Sequence, residues 1–190
     1  MEDLEAQLAT LVPDAVAGDR RAVRKLMRLI NPLVIRYTRL RIQGGKIPSA
    51  EDVAQEAMLA VSQALPHYQD QGRPFMAFVY GIAANKVADA YRAMGRDRTN
   101  PTEEVPESVD GGLTPEGMAL VADGSNRVRA LLDTLSDKAR EIMILRVFVG
   151  LSAEETAEIV GSTPGAVRVA QHRALRTLRG FYESGEQEHA

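Results

Sequence analysis

The chain has 190 residues, with 23 Lys and Arg against 26 Asp and Glu for a net charge of −3; 45% of it is hydrophobic, only 5% aromatic, and there is no Trp. That length suits one or two domains with real cores, and the lean usage favours helical bundles over sheets. With no Cys there is neither a disulfide framework nor a cysteine–zinc centre, His67, His172 and His189 lack ligand spacing, and no apolar run approaches the roughly 18 residues of a membrane span.

The acidic N-terminus does not read as a signal peptide, so the expectation is a cytoplasmic chain with no metal, no cofactor and no catalytic residue. Net charge is uneven along it. Residues 1–98 carry 14 basic and 11 acidic side chains, residues 99–126 carry 0 and 6, and residues 127–190 carry 9 and 9. A negative total therefore conceals clustered positive charge, cancelled by an acidic segment.

Taken in order, residues 1–12 hold a short apolar pattern (Leu4, Leu8, Leu11), and Pro13 is expected to start a stronger helix. In that helix Ala15, Val16, Ala22, Val23, Leu26, Met27 and Ile30 recur at helical spacing, and Gly18-Asp19 marks a break or a recap. Arg20, Arg21, Arg24, Lys25 and Arg28 form a basic face on it. Pro32 interrupts the pattern, so a separate helix is expected through Leu33, Val34, Tyr37, Leu40 and Ile42, closed by Gly44-Gly45.

Ser49 is placed to cap a third helix whose stripe is Val53, Ala57, Met58, Val61 and Leu65, leaving Asp52, Gln55, Glu56 and Gln63 as a polar, mostly acidic face. Pro66 ends it, residues 68–73 read as a loop, and Pro74 opens a long fourth helix to about Met94. Phe78, Ile82, Val87, Ala90 and Tyr91 fit its core face, while Asn85, Lys86, Asp89, Arg92 and Arg96 project elsewhere. Residues 99–124 hold prolines, glycines and acids without a basic residue, the composition of a linker. Helical patterning resumes at Asn126 with Val128, Leu131, Leu132 and Leu135, then a Ser136-capped helix carrying Ile142, Met143 and Leu145. The expected fold is all-α: a four-helix domain over 1–98, a flexible acidic linker over 99–126, and a smaller helical domain over 127–190 with a short tail.

The last stretch, 152–179, reads as a helix-turn-helix. Ser152 and Glu155 match a capping box, Ala157 is small where two helices must touch, Gly161 supplies a left-handed turn, and Ser162 or Thr163 caps a helix that has Pro164 at its first position. In that second helix Val167, Ala174, Leu175 and Leu178 can face inward, with Arg168, Arg173, Arg176 and Arg179 outward. No acid falls between Ser162 and Tyr182. A basic second helix suits a DNA major groove, where arginines reach phosphates and guanine edges.

Three segments together resemble a known family: Asp52-Val-Ala-Gln-Glu56, the run from Phe75 to Arg92, and the run from Leu135 to Arg146 with the helix-turn-helix behind it. They look like an extracytoplasmic-function (ECF) sigma factor of the sigma-70 family, closest in phrasing to the sigma-D type of actinobacteria, over about residues 13–98 and 127–180. The resemblance implies an alternative sigma factor that binds core RNA polymerase and directs promoter-specific initiation. By it, Asp52, Gln55 and Glu56 dock the clamp helices of the largest polymerase subunit, and the flap of the second largest subunit is a further partner. The fourth helix and the loop before it melt and read the minus-ten element, with Phe75, Phe78 and Tyr80 as stacking groups and Asn85, Lys86, Asp89 and Arg92 as polar readers. Contacts to the minus-thirty-five element fall to Thr163, Arg168, His172, Arg173 and Arg176. Many relatives have Trp where Phe78 stands and a basic residue where Ala170 stands. Phe78 fits the core equally well, since its spacing to Ile82 is helical. An anti-sigma factor is implied as a further partner; the linker either threads toward the polymerase active site or is a plain tether.

Two rival functions have sequence support. A stand-alone helix-turn-helix regulator accounts for 127–180 but leaves the fourth helix idle. A metal-dependent DNA-processing enzyme would use carboxylates such as Asp52, Glu56 and Asp89, none of which has nuclease-like context. Because Asp52 and Glu56 lie on a solvent face, reversing their charge is expected to spare the fold.

Overall fold

The computed structural model describes residues 2–42, 48–97 and 128–187, and among these every regular element is helical. The chain divides into two compact units, Met1–Pro106 and Glu107–Ala190. The linker segment 99–126 and Gly44-Gly45 lie outside the described residues.

In the first unit, α1 is Glu2–Val16, α2 Arg20–Arg41, α3 Ala50–Ala64 and α4 Phe75–Asp97. Helix α1 runs through Pro13 instead of starting there. It ends where Gly18 takes a φ of 90°, and Asp19 restarts the chain as a cap, its Oδ1 accepting from the N–H groups of Arg21 (2.8 Å) and Ala22 (2.7 Å). Helix α2 is unbroken across Pro32, against the expectation of two helices. An interior proline costs about 3 kcal/mol. Here it sits on the exposed side, while Leu26, Ile30, Val34 and Tyr37 form one continuous buried stripe through it. Each such burial contributes about 1.5–3 kcal/mol, so the stripe outweighs the proline.

Helix α3 buries Val53, Ala54, Ala57 and Val61, and a 3-10 turn at Leu65–His67 follows. Helix α4 buries Phe75, Met76, Val79, Tyr80, Ala83, Val87 and Ala90. Its core stripe is thus rotated from the expected one, and Phe78, Ile82 and Tyr91 are only half-buried. Helices α2 and α4 are keyed together by the edge-on Tyr37–Tyr80 pair, centroids 5.5 Å apart, and by the Tyr91 hydroxyl donating to the Arg41 carbonyl.

In the second unit, α5 spans 128–133, α6 is Asp137–Met143, and a π-helical turn at Ile144–Val149 leads to α7, Ala153–Ile159, and α8, Pro164–Gln187. Ser136 caps α6 through the Ala139 N–H. Buried Arg140 ties α5 to α6: its Nε donates to the Leu132 carbonyl at 3.0 Å and its guanidinium lies 3.1 Å from Asp133. Ile142, Ala153, Ala157 and Val167 form a core, with Val160 and Ala170 against it. Leu175 was expected to face inward but is 46% exposed. The buried stripe runs through 167, 170 and 174, and Leu175 stands about 80° round the helix from Val167.

Candidate functional site

The helix-turn-helix is assembled by local bonds. Glu155 Oε2 accepts from the Ser152 N–H at 2.6 Å while Ser152 Oγ accepts from the Glu155 N–H at 3.1 Å, closing the capping box. Gly161 turns the chain at a φ of 59°, a left-handed conformation that costs other residues, and the Ser162 N–H returns to the Ala157 carbonyl at 2.8 Å. Of the two cap candidates the structure selects Thr163, whose Oγ1 accepts from the Ala166 N–H at 3.2 Å. A residue that sequence reasoning passed over fixes α8: half-buried Arg146 donates to Gln171 Oε1 at 3.0 Å and to the Leu151 carbonyl. Its only signal was a cation in an otherwise apolar run.

The outer face of α8 presents Arg168, His172, Arg173, Arg176 and Arg179, all exposed. Arg168 and His172 stand one turn apart toward the N-terminal half. Arg168 reaches back to α7, 2.6 Å from Glu154, with both side chains more than half exposed. The Glu154 carboxyl is held below its ordinary pKa first by its own backbone N–H and then by Arg168.

On the first unit, Asp52, Gln55 and Glu56 are exposed along α3. Asp52 is also structural. Its Oδ2 accepts from the Ser49 N–H at 3.0 Å and the Ser49 hydroxyl at 2.7 Å, and the Ser49 Oγ accepts from the Asp52 N–H, so the pair closes a capping box. Those bonds pull the Asp52 carboxyl below its usual pKa. Charge reversal at Asp52 therefore reaches the fold, contrary to the expectation that it would not. Glu56 lies 3.9 Å from Lys86 on α4, so the expected docking face and the expected minus-ten face adjoin.

Along α4, Asn85, Asp89 and Arg92 are exposed and Lys86 is half-buried; Arg92 pairs with Asp89 at 2.6 Å. Two of the three expected stacking groups do not offer a face. Phe75 and Tyr80 are each 5% exposed, wedged in the core, and burial raises the Tyr80 hydroxyl to about 12. Phe78 is half-buried and packs with Tyr68 (centroids 4.9 Å) and Phe75 (5.6 Å). Beside this cluster a cleft of about 330 Å³ opens between Ala9, Val12 and Val16 of α1 and the loop side chains Tyr68, Asp70 and Arg73. The sequence showed 68–73 only as a loop; the aromatic at its start was the available signal.

Residues 23–97 match the family model of sigma-70 region 2, and residues 125–178 that of sigma-70 region 4. The chain is 57% identical over 177 residues to the ECF RNA polymerase sigma factor SigD of Mycobacterium tuberculosis, a match covering 91% of this chain and 82% of that one. It is 45% identical over 188 residues to the ECF RNA polymerase sigma factor ShbA of Streptomyces griseus, covering 96% and 98%. In fold it resembles CnrH, solved with the cytosolic domain of CnrY, at a TM-score of 0.67 and 24% identity over 92% of this chain and 96% of that one. It also resembles the sigma factor RpoE of Bartonella quintana, solved with the anti-sigma factor NepR, at a TM-score of 0.63 and 21% identity over 85% and 96%. With both regions present in order and relatives this similar along almost the whole chain, the protein belongs to the ECF sigma factors of the sigma-70 family.

Proposed function

We propose that this ECF sigma factor binds bacterial core RNA polymerase and directs it to specific promoters, with the work divided between a docking and melting domain over 1–98 and a reading domain over 127–190, joined by the acidic linker 99–126. Gln55 and Glu56 meet the polymerase clamp helices, with Asp52 contributing charge from its capping position. Around the minus-ten element, Asn85, Lys86, Asp89 and Arg92 supply polar contacts. Half-buried Phe78, packed on Tyr68 beside the cleft, takes the stacking work that buried Phe75 and Tyr80 do not do. On α8, Arg168 and His172 read bases of the minus-thirty-five element. Arg173 and Arg176 hold phosphates, and Thr163 sets the start of the helix.

The observation that carries this reading is the exposed cationic face of α8 in a chain that also matches region 2. A stand-alone regulator needs the first and has no use for the second. The protein then acts as an initiation factor in place of a catalyst, and it works in the cytoplasm, where polymerase is. No described helix is long and apolar enough to cross a membrane. An anti-sigma factor is proposed as the antagonist that keeps it from the polymerase.

The test is run-off transcription with core polymerase on a genomic library, alongside duplex binding by the protein with and without core. Specific start sites that require both components support the reading. Specific duplex binding by the protein alone, without any effect on core polymerase, refutes it in favour of the regulator.

A further inference from the structure

The basic face of α2 has no place in the division of labour above. Arg20, Arg21, Arg24, Lys25 and Arg28 are all exposed, and among the described residues none of them forms an ion pair. Arg24 only donates to the Arg20 carbonyl on its own helix. At about 100° per residue the five side chains spread over an arc of about 140°. Within residues 20–28 that arc holds no acidic and no apolar side chain.

The placement is electrostatically adverse to the helix itself. The five cations crowd the N-terminal half, where the macrodipole favours anions, and no acid occupies the first turn. Arg20 and Arg24, Arg21 and Lys25, and Arg24 and Arg28 are like-charge pairs at i and i+4, which also destabilise. Asp19 offers a local counter-charge, but its Oδ1 is taken up by capping the Arg21 and Ala22 N–H groups. Nothing in the packing of the unit requires this charge, since the buried face of α2 is carried by other residues.

We infer that this face is a second nucleic-acid surface, which grips the phosphate backbone of promoter DNA in the polymerase-bound state. The inference rests on the sigma-factor reading above. A polyanion is the occupant that the composition selects: the core of a protein–protein contact is built on aromatic and apolar anchors, and this all-cationic arc has none. Four of its five cations are arginines, whose planar fork takes phosphate oxygens in pairs. Two rows, Arg20–Arg24–Arg28 and Arg21–Lys25, advance by about 6 Å per step along the helix and can follow a strand without reading bases. The face starts four residues after Val16, across the Gly18 turn, on the same unit that carries the cleft lined by Val16, Tyr68 and Arg73.

The experiment compares wild type with the triple variant Arg24→Gln, Lys25→Gln, Arg28→Gln, as full chains assembled with core polymerase. Promoter-complex affinity is measured against salt, and affinity for core alone is measured separately. Each lost phosphate contact lowers the slope of log affinity against log salt by about 0.9, so loss of all three changes it by about 2.7. Between 50 and 200 mM salt the wild type then loses about 40-fold more affinity than the variant. The variant should keep its affinity for core and its promoter preference, and its thermal midpoint should hold or rise slightly, because the like-charge pairs along α2 are relieved. Arg39→Gln, which removes a cation already paired with Glu51 at 2.7 Å, should leave the slope alone. An unchanged slope in the triple variant overturns the inference, as does an equal shift in the Arg39→Gln control. Lost affinity for core overturns it too, in favour of an acidic protein surface. Failure of the wild type to support promoter-specific transcription would instead strike the underlying sigma-factor reading.

Discussion

Asp52 and Glu56 lie four residues apart on one exposed face of α3, yet the structure assigns them different physical duties, and substitution can separate these. Asp52→Ala removes the acceptor for the Ser49 N–H and hydroxyl, at 3.0 and 2.7 Å. The Ser49 Oγ still caps the Asp52 N–H, so half the capping box survives. Loss of a side-chain cap costs about 1 kcal/mol, and a unit of about 100 residues loses roughly 4–8 °C of melting temperature per kcal/mol. Asp52→Asn keeps an acceptor oxygen and should lose less. Glu56→Lys breaks only a long, exposed pair with Lys86 at 3.9 Å, a contact worth about 0–1 kcal/mol, so its melt should shift by a few degrees at most. If Glu56 meets the polymerase, that same variant should bind core about tenfold more weakly or worse, a loss of at least about 1.4 kcal/mol. Circular dichroism melts and titration of core polymerase with labelled protein read the two effects independently. A Glu56→Lys protein that binds core like wild type refutes the docking assignment; an Asp52→Ala protein that melts like wild type refutes the capping argument. The pH dependence has a definite sign. The Ser49 bonds depress the folded-state pKa of Asp52, so its contribution is present above the ordinary aspartate value and disappears as pH falls through the depressed one. Asp52→Asn should accordingly flatten the acid limb of the melting curve.

Tyr80 is buried and its hydroxyl is raised to about 12, so its contribution is intact below the ordinary value of 10.0 and is lost as pH rises toward 12. Ultraviolet titration should show a tyrosine that resists ionisation until alkaline unfolding, and Tyr80→Ala should destabilise by about 3–5 kcal/mol, as large aromatic truncations do, with no promoter-specific signature. Arg140→Met should cost the second unit about 1–3 kcal/mol by stranding the Leu132 carbonyl and Asp133, read as an earlier denaturant midpoint. Arg168→Ala should change which upstream sequences support transcription, since a base contact discriminates by about 1–3 kcal/mol. Arg179→Ala, farther along α8, should lower activity on all promoters alike; a uniform loss in Arg168→Ala would remove base reading from that residue.

Local chemistry carried much of this protein's architecture in its sequence. The Ser49, Ser136 and Ser152 caps, the left-handed Gly161 and the outward arginines of α8 are consequences of neighbouring residues, because a cap or a turn is closed by atoms only a few positions away. The segments that match sigma-70 regions 2 and 4 were legible for the same reason, as contiguous runs with their own periodicity. Tertiary packing decided the rest. Pro13 read as a helix start and Pro32 as a helix break, but α1 runs through the one and a buried stripe continuous through the other keeps α2 unbroken. Phe75 and Tyr80 read as surface aromatics, and became core because the face of α4 that meets α2 and α1 is set by which side chains those helices present. The cleft beside Tyr68, the Glu56–Lys86 approach and the Arg168–Glu154 pair join residues from different elements, 14 positions apart in the last case. Helical periodicity records which way a side chain points along its own axis; which partner waits there is set only when the helices pack.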